Sequence, residues 1–302
     1  MRSVRRVGVV ALVGSMMLVG CEPGAPSRAG SSSGTAQATP TSPTAPEPGA
    51  TPAGPTAVPP SAVNPVAPSP ARPTVPPSAV APAVPFPGPA VPASLAGRIV
   101  SRIPTTRTVV ALTFDAGANG DGVDSILATL ASEHVPATFY LTGRFVDHYP
   151  ALARAMSAAG RLGNHSTDHP HLPTLTDAQV TAQVSDAQST ILATTGRDPR
   201  PLFRFPFGDS TSHDVGLVNS LGYVTVGWTV DTLGWQGTSG GRNVDSVVRR
   251  VLDAATPGQI VLMHVGSHPS DHSTLDADAL GRIISGLRAA GYDFVTLDAL
   301  TG

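Results

Sequence analysis

From Val109 onward, short apolar runs alternate with segments whose apolar residues recur every three or four positions. The first texture predicts strands buried on both faces, the second amphipathic helices. Residues 109–114 read as a strand, followed by a helix over 121–133 that carries Val123, Ile126, Leu127 and Leu130 on one face. Strands follow at 137–141 and 162–163, separated by a helix near 151–159. That helix starts behind Pro150, a residue suited to a first helical position because no N–H is needed there, and stops at Gly160. Thr176 and Gln179 form a capping-box pattern for a helix that turns Val180, Val184, Ala187 and Ile191 inward and ends at Gly196. Further strands are expected at 202–205, 223–226, 260–263 and 294–297, with helices at 213–221, 244–252 and 277–290. About seven β/α units in roughly 205 residues are too few for a complete eight-unit barrel and suit an incomplete one. Periodicity alone leaves an open doubly wound sheet as the alternative, but no Gly-rich phosphate loop follows any strand.

The first third of the chain has neither texture. Residues 22–95 are Pro, Ala, Ser, Thr, Gly and Val with almost no aromatic side chains and few charges. Such a segment cannot bury enough apolar surface to offset its ordering entropy, so a disordered Pro-rich linker is expected. Ahead of it, Arg2, Arg5 and Arg6 precede an apolar stretch over 7–20 that is too short to span a bilayer. The run Leu18-Val19-Gly20-Cys21 resembles the lipobox of bacterial lipoproteins, which implies lipidation of Cys21 after cleavage. Cys21 is the sole cysteine, so no disulfide forms within the chain. Residues 1–21 are thus expected to be a leader, 22–95 a stalk and 96–302 a catalytic head, extracytoplasmic and lipid-anchored to the cell membrane. With a net charge of -2 and 13% charged residues, nothing points to a nucleic-acid partner.

Several chemistry-bearing residues stand just after the apolar runs, the end of a parallel strand at which α/β barrels build their sites. His165 and His169 are four apart behind a short strand, a spacing that lets two imidazoles reach one cation. Asp115 ends one run, where a partly desolvated carboxylate either takes protons or is held by a cation. Arg204 lies in another, and a buried guanidinium needs a carboxylate, for which Asp115 is the candidate. His264 ends a third run as a candidate general acid, with Asp231 as the group that could orient it or raise its pKa. Four other histidines, at 134, 148, 171 and 213, have only polar surface or helix ends around them.

Thr113-Phe114-Asp115, His165-Ser166-Thr167-Asp168-His169, Arg204-Phe205-Pro206-Phe207-Gly208, Asp231 with Trp235, and Leu262-Met263-His264 come in this order. The series resembles the polysaccharide deacetylases of carbohydrate esterase family four, the NodB-homology domain, over the whole head and none of the stalk. The resemblance implies a distorted, incomplete (β/α) barrel. It implies Asp115 as general base, His165 and His169 as ligands of a divalent metal (zinc, cobalt or nickel), and Arg204 as the group holding Asp115. It further implies the Phe207 backbone N–H as an oxyanion donor, Trp235 and Leu262 as walls of an acetyl pocket, and His264, tuned by Asp231, as general acid. The substrate would be an acetylated cell-wall polysaccharide, most readily peptidoglycan, acted on by a monomer.

One position departs from the family pattern. A second aspartate, itself a metal ligand, usually follows the base, and here that position is Ala116. A looser working site, a replacement ligand such as His268 or His272, or a glycan-binding protein without activity are the three consequences open. An esterase removing O-acetyl groups with the same machinery is the alternative within enzymes.

Overall fold

The computed structural model of the chain describes residues 90–301; the leader, Cys21 and the linker up to residue 89 lie outside them. Seven parallel strands form one sheet: β1 (Val109–Ala116), β2 (Ala137–Leu141), β3 (Arg161–Asn164), β4 (Leu202–Phe203), β5 (Val224–Thr225), β6 (Val230–Asp231) and β7 (Gln259–His264). Their order is β5-β4-β3-β2-β1-β7-β6, with a short β8 (Asp293–Phe294) pairing the start of β1. The path is open between β5 and β6. There the segment around Val100–Arg102 bridges to Val226 on one side and Gln259 on the other. This is the incomplete parallel barrel that the unit count and the resemblance predict.

Helices α1 (Val123–Ser132), α2 (Gly143–His148), α3 (Pro150–Ala159), α4 (Asp177–Thr195), α5 (Ser212–Ser220), α6 (Val244–Asp253) and α7 (Leu275–Ala289) complete the head. All eight residues of β1 are buried, as expected of a central parallel strand covered on both faces. Its alternate residues go to different places. Val110, Leu112, Phe114 and Ala116 join Ile126 of α1, Met156 of α3, Val251 of α6 and Ile283 of α7 in the main core. Ala111 faces inward with Tyr140, Leu202, Val224 and Ile260. By the period of two, Thr113 and Asp115 share that inward face.

The expected helix stops are local chemistry made visible. In α4 the Thr176 hydroxyl accepts from the Gln179 N–H and the Gln179 side chain reciprocates at the Thr176 N–H. Gly196 closes the helix at φ 70°, a left-handed conformation that favours glycine. The strand expected over 202–205 is shorter: β4 ends at Phe203, and Arg204 follows it with its N–H on the Asn164 carbonyl. The last expected strand, 294–297, ends at Phe294 and gives way to a 3-10 turn at Leu297–Leu300. Two elements, α2 and β6, are additional to those the pattern predicts. Val91 and Leu95, assigned to the linker by composition, pack with the inward cluster of the head.

Candidate active site

Asp115 on β1 and His264 on β7 are direct register partners in a parallel pair, as are Thr113 and Leu262 two residues earlier. Both side chains lie on the inward face at the C-terminal ends of their strands. A carboxylate and an imidazole therefore stand side by side because two apolar runs pair in this register.

Asp115 is 6% exposed, with Arg204 bonded to one oxygen and His165 close to the other. Oδ1 accepts from Arg204 Nη1 at 2.7 Å, and Oδ2 lies 3.4 Å from His165 Nε2. Arg204 is fully buried, its Nη2 donating to the Gly227 carbonyl at 3.1 Å and its Nε to the Val226 carbonyl at 3.4 Å. Its guanidinium lies over the Tyr140 ring, 4.2 Å from the centroid. Burial works to raise the Asp115 pKa, but the charge and hydrogen bond of Arg204, with the neighbouring imidazoles His165 and His264, outweigh it and hold the carboxyl below its usual value. The carboxylate is ionised at neutral pH.

His165 and His169 sit in a tight loop after β3, not on a helix. Ser166 and His169 adopt φ 67° and 61°, and the turn is fixed by the Asn164 side chain accepting from the Ser166 N–H and by the Ser166 hydroxyl accepting from the His169 N–H. Gln183 of α4 clamps the same loop, its Oε1 accepting from the Thr167 and Asp168 N–H groups. The two imidazole centroids are 4.7 Å apart. His165 Nδ1 is 2.9 Å from the Arg204 carbonyl, which can only accept, so Nδ1 carries the proton and Nε2 presents its lone pair. Burial lowers the pKa of both, that of His169 to about 4, where the neighbouring imidazole of His165 also disfavours a second positive charge. Two neutral imidazoles, one of them oriented by a carbonyl behind it, are the donor set that a divalent cation takes. Among the described residues, no group of three or more His, Cys, Asp or Glu side chains is arranged to hold a metal. His268 does not join the pair. Its Nδ1 accepts from the Ser270 and Asp271 N–H groups within its own loop, 3.3 and 3.4 Å away, and His272 follows at φ 57°. Ala116 is fully buried in the main core.

Around His264, Asp231 acts through its charge, one of those that raise the imidazole pKa. Its carboxylate accepts from the Leu233 N–H at 2.8 Å and from the Trp235 indole N–H at 3.2 Å, so it also shapes the loop that carries Trp235. The carboxylate at His264 belongs to Asp276 in the first turn of α7, whose Oδ2 accepts from the His264 backbone N–H at 2.8 Å and lies 3.7 Å from Nδ1. Burial opposes protonation of His264, but Asp276, Asp115 and Asp231 together outweigh it and raise the pKa above its usual value. Sequence reasoning missed Asp276 because an acidic residue in a first helical turn reads as a response to the helix dipole. Gln183 was missed for a similar reason, as one polar residue on a long helix.

Among the described residues, two of the three exposed large hydrophobic side chains flank this group: Phe207 is 58% and Trp235 is 49% exposed. Phe207, at φ 59°, stacks on His171 with centroids 4.0 Å apart and meets His169 edge-on at 4.4 Å. Leu262, 4% exposed, lies on β7 between Ile260 and His264 on the inward face.

An ionised carboxylate beside an imidazole that favours its protonated form, with two neutral imidazoles against the carboxylate, can take a proton from one atom and give a proton to another. The polysaccharide deacetylase family model matches residues 102–226. The chain is 29% identical to a chitooligosaccharide deacetylase of Azorhizobium caulinodans over 64% of its own length and 94% of that protein. It is 30% identical to a peptidoglycan-N-acetylglucosamine deacetylase of Bacillus cereus, over 65% of its length and 70% of the relative. Among solved structures, it resembles a mutant, with restored enzymatic activity, of a CE4 family pseudoenzyme from Bacillus anthracis, with 29% identity and a TM-score of 0.62 over 69% of this chain and 72% of that one. The chain belongs to the polysaccharide deacetylase family. It is an amide-hydrolysing deacetylase.

Proposed function

We propose that the protein removes acetyl groups from N-acetylated sugars of peptidoglycan, with Asp115 as general base and His264 as general acid. The observation that carries this reading is the register pairing of the two residues, with the carboxyl pKa held down and the imidazole pKa held up. A divalent cation (zinc, cobalt or nickel) bound by His165 and His169 and completed by water would supply a Lewis acid for the acetyl carbonyl.

Asp115 takes the proton of the attacking water. Arg204 keeps that carboxylate ionised and fixed, so the base needs no rearrangement before the reaction. The Phe207 backbone N–H meets the negative charge that develops on the carbonyl oxygen, a contribution of about 3–4 kcal/mol where such donors have been removed from other enzymes. Leu262 and Trp235 enclose the methyl group of the acetyl. His264 gives its proton to the departing amine nitrogen, without which an amine is a poor leaving group.

Peptidoglycan fits the reading for two reasons: a curated relative is named for it, and a lipid anchor at Cys21 with a long Pro-rich linker would hold the head within reach of the wall. Those anchoring features lie outside the described residues. The Asp115–Arg204 pair beside His264 supports an active enzyme despite Ala116. The test is to incubate the metal-loaded protein with N-acetylated peptidoglycan and with an O-acetylated glycan. Acetate release accompanied by an equal amount of new free amine is expected from the first. Acetate from the O-acetyl substrate alone would replace this reading with an esterase.

A further inference from the structure

Two buried polar atoms on the acid side have no hydrogen-bond partner, and they belong to neighbouring groups: Nδ1 of His264 and Oδ1 of Asp276. Asp276 is 4% exposed, and its other oxygen holds the His264 backbone N–H. An unsatisfied buried carboxylate oxygen is destabilising, and such a group persists where it does something. The loop opposite is cut to fit it. A Cβ built at Gly234 would fall 2.3 Å from Asp276 Oδ1 and 2.7 Å from its Cγ, so any side chain at 234 collides with the carboxylate. Gly234 is not among the residues with positive φ, so the glycine serves to make room and not to permit a turn.

We propose that Asp276 is the positioning residue for the general acid: its carboxylate takes the Nδ1–H of His264 so that Nε2 carries the proton given to the amine, and Gly234 is the clearance that admits it. The inference rests on the reading of His264 as the acid. From Nδ1 to Oδ2 the distance is 3.7 Å, and a small turn of the ring brings the pair into hydrogen-bond range. Catalytic hydrogen bonds are commonly long before substrate binds. The other charged groups facing His264 are Asp115 and Asp231. Asp231 is committed to Leu233 and Trp235, and Asp115 is bonded to Arg204, while Asp276 already holds the His264 backbone N–H and lies nearest its Nδ1.

Asp276→Asn is the test, because the amide keeps an acceptor for the His264 backbone N–H while losing the charge. Three readings are taken on the metal-loaded full chain: kcat on an N-acetylated oligosaccharide, kcat on an activated aryl acetate whose leaving group needs no proton, and the His264 pKa by NMR. Asp276→Asn should lower kcat on the amide by about tenfold or more with little change in KM. The aryl acetate rate should stay within about twofold, since no general acid is needed there, and the His264 pKa should fall. Gly234→Ala, which displaces the carboxylate without altering it, should show the same three changes and serves as the second variant if Asp276→Asn folds poorly. Equal losses on both substrates, or an unmoved His264 pKa in both variants, would overturn the proposal. His264→Ala separates this from failure of the functional reading: if that variant keeps its amide rate, the acid assignment itself is wrong.

Discussion

Asp115 and His264 are direct register partners across β1 and β7, yet their surroundings differ in kind. The carboxylate is 6% exposed and bonded to an arginine that is bonded in turn to two backbone carbonyls. The imidazole is 31% exposed, held through its backbone N–H, and its Nδ1 is unpartnered. The carboxylate has its buried counter-charge in place, while the imidazole would complete its contacts, under the proposed positioning, when the ring turns toward Asp276. If Asp115 is the base, its preorganised charge spares reorganisation during the reaction.

The largest difference should appear in stability. Arg204→Ala leaves the Asp115 carboxylate buried and uncompensated, and breaking such a pair costs about 3–5 kcal/mol. Chemical denaturation should show that loss. His264→Ala, at a partly exposed position, should lose far less. In catalysis the two sides should look alike: His264→Ala is expected to lower kcat on the N-acetyl substrate by at least ~10²-fold with the fold intact. A loss of only a few-fold would remove His264 from its role.

How much of this could be read beforehand follows from where each signal resides. The bounds of β2 and the caps of α4 were legible because an apolar run and a capping box are local statements. The six-residue helix α2 begins at a glycine, and the two-residue β6 has no run to detect, so both exist through tertiary pairing. Arg204 and Asp115 were readable as partners because neither can be buried alone. Asp231 was legible as a charge that raises the His264 pKa, but which loop meets which strand end is decided by packing. The direct contact with His264 goes to a residue of α7, and Gly234 records it only as an absent side chain.

A smaller effect should separate the loop from the strands. Gln183→Ala removes the clamp on Thr167 and Asp168 without touching either imidazole. Zinc affinity, measured by competition with a chelator, should fall about tenfold, the low end of what supporting groups contribute. Unchanged affinity would mean that Ser166 and Asn164 hold the loop by themselves.

A further contrast is in the pH dependence of stability, where the two sides run in opposite directions. The His169 pKa is lowered to about 4, so below 6.5 the unfolded chain takes up a proton that the folded protein refuses. Stability therefore falls as pH drops from 6.5 towards 4. His264 is raised above 6.5, so its contribution is complete below that value and is lost as pH climbs through the folded pKa. Denaturation midpoints across pH should show His169→Ala flattening the acid slope and His264→Ala the alkaline one. Exchange of the two effects would contradict the assigned environments.

The central claim is that the carboxylate of Asp115 removes the proton that starts amide hydrolysis. Asp115→Asn tests it most directly, because the amide preserves shape and keeps an oxygen to accept from Arg204. The change leaves that guanidinium without its counter-charge, so rates are compared on protein shown to be folded by circular dichroism. Acetate and free amine released from N-acetylated peptidoglycan should be equal for the unaltered protein. Both should drop by at least ~10²-fold in Asp115→Asn at equal metal content. A variant that still released acetate at the unaltered rate would contradict the account.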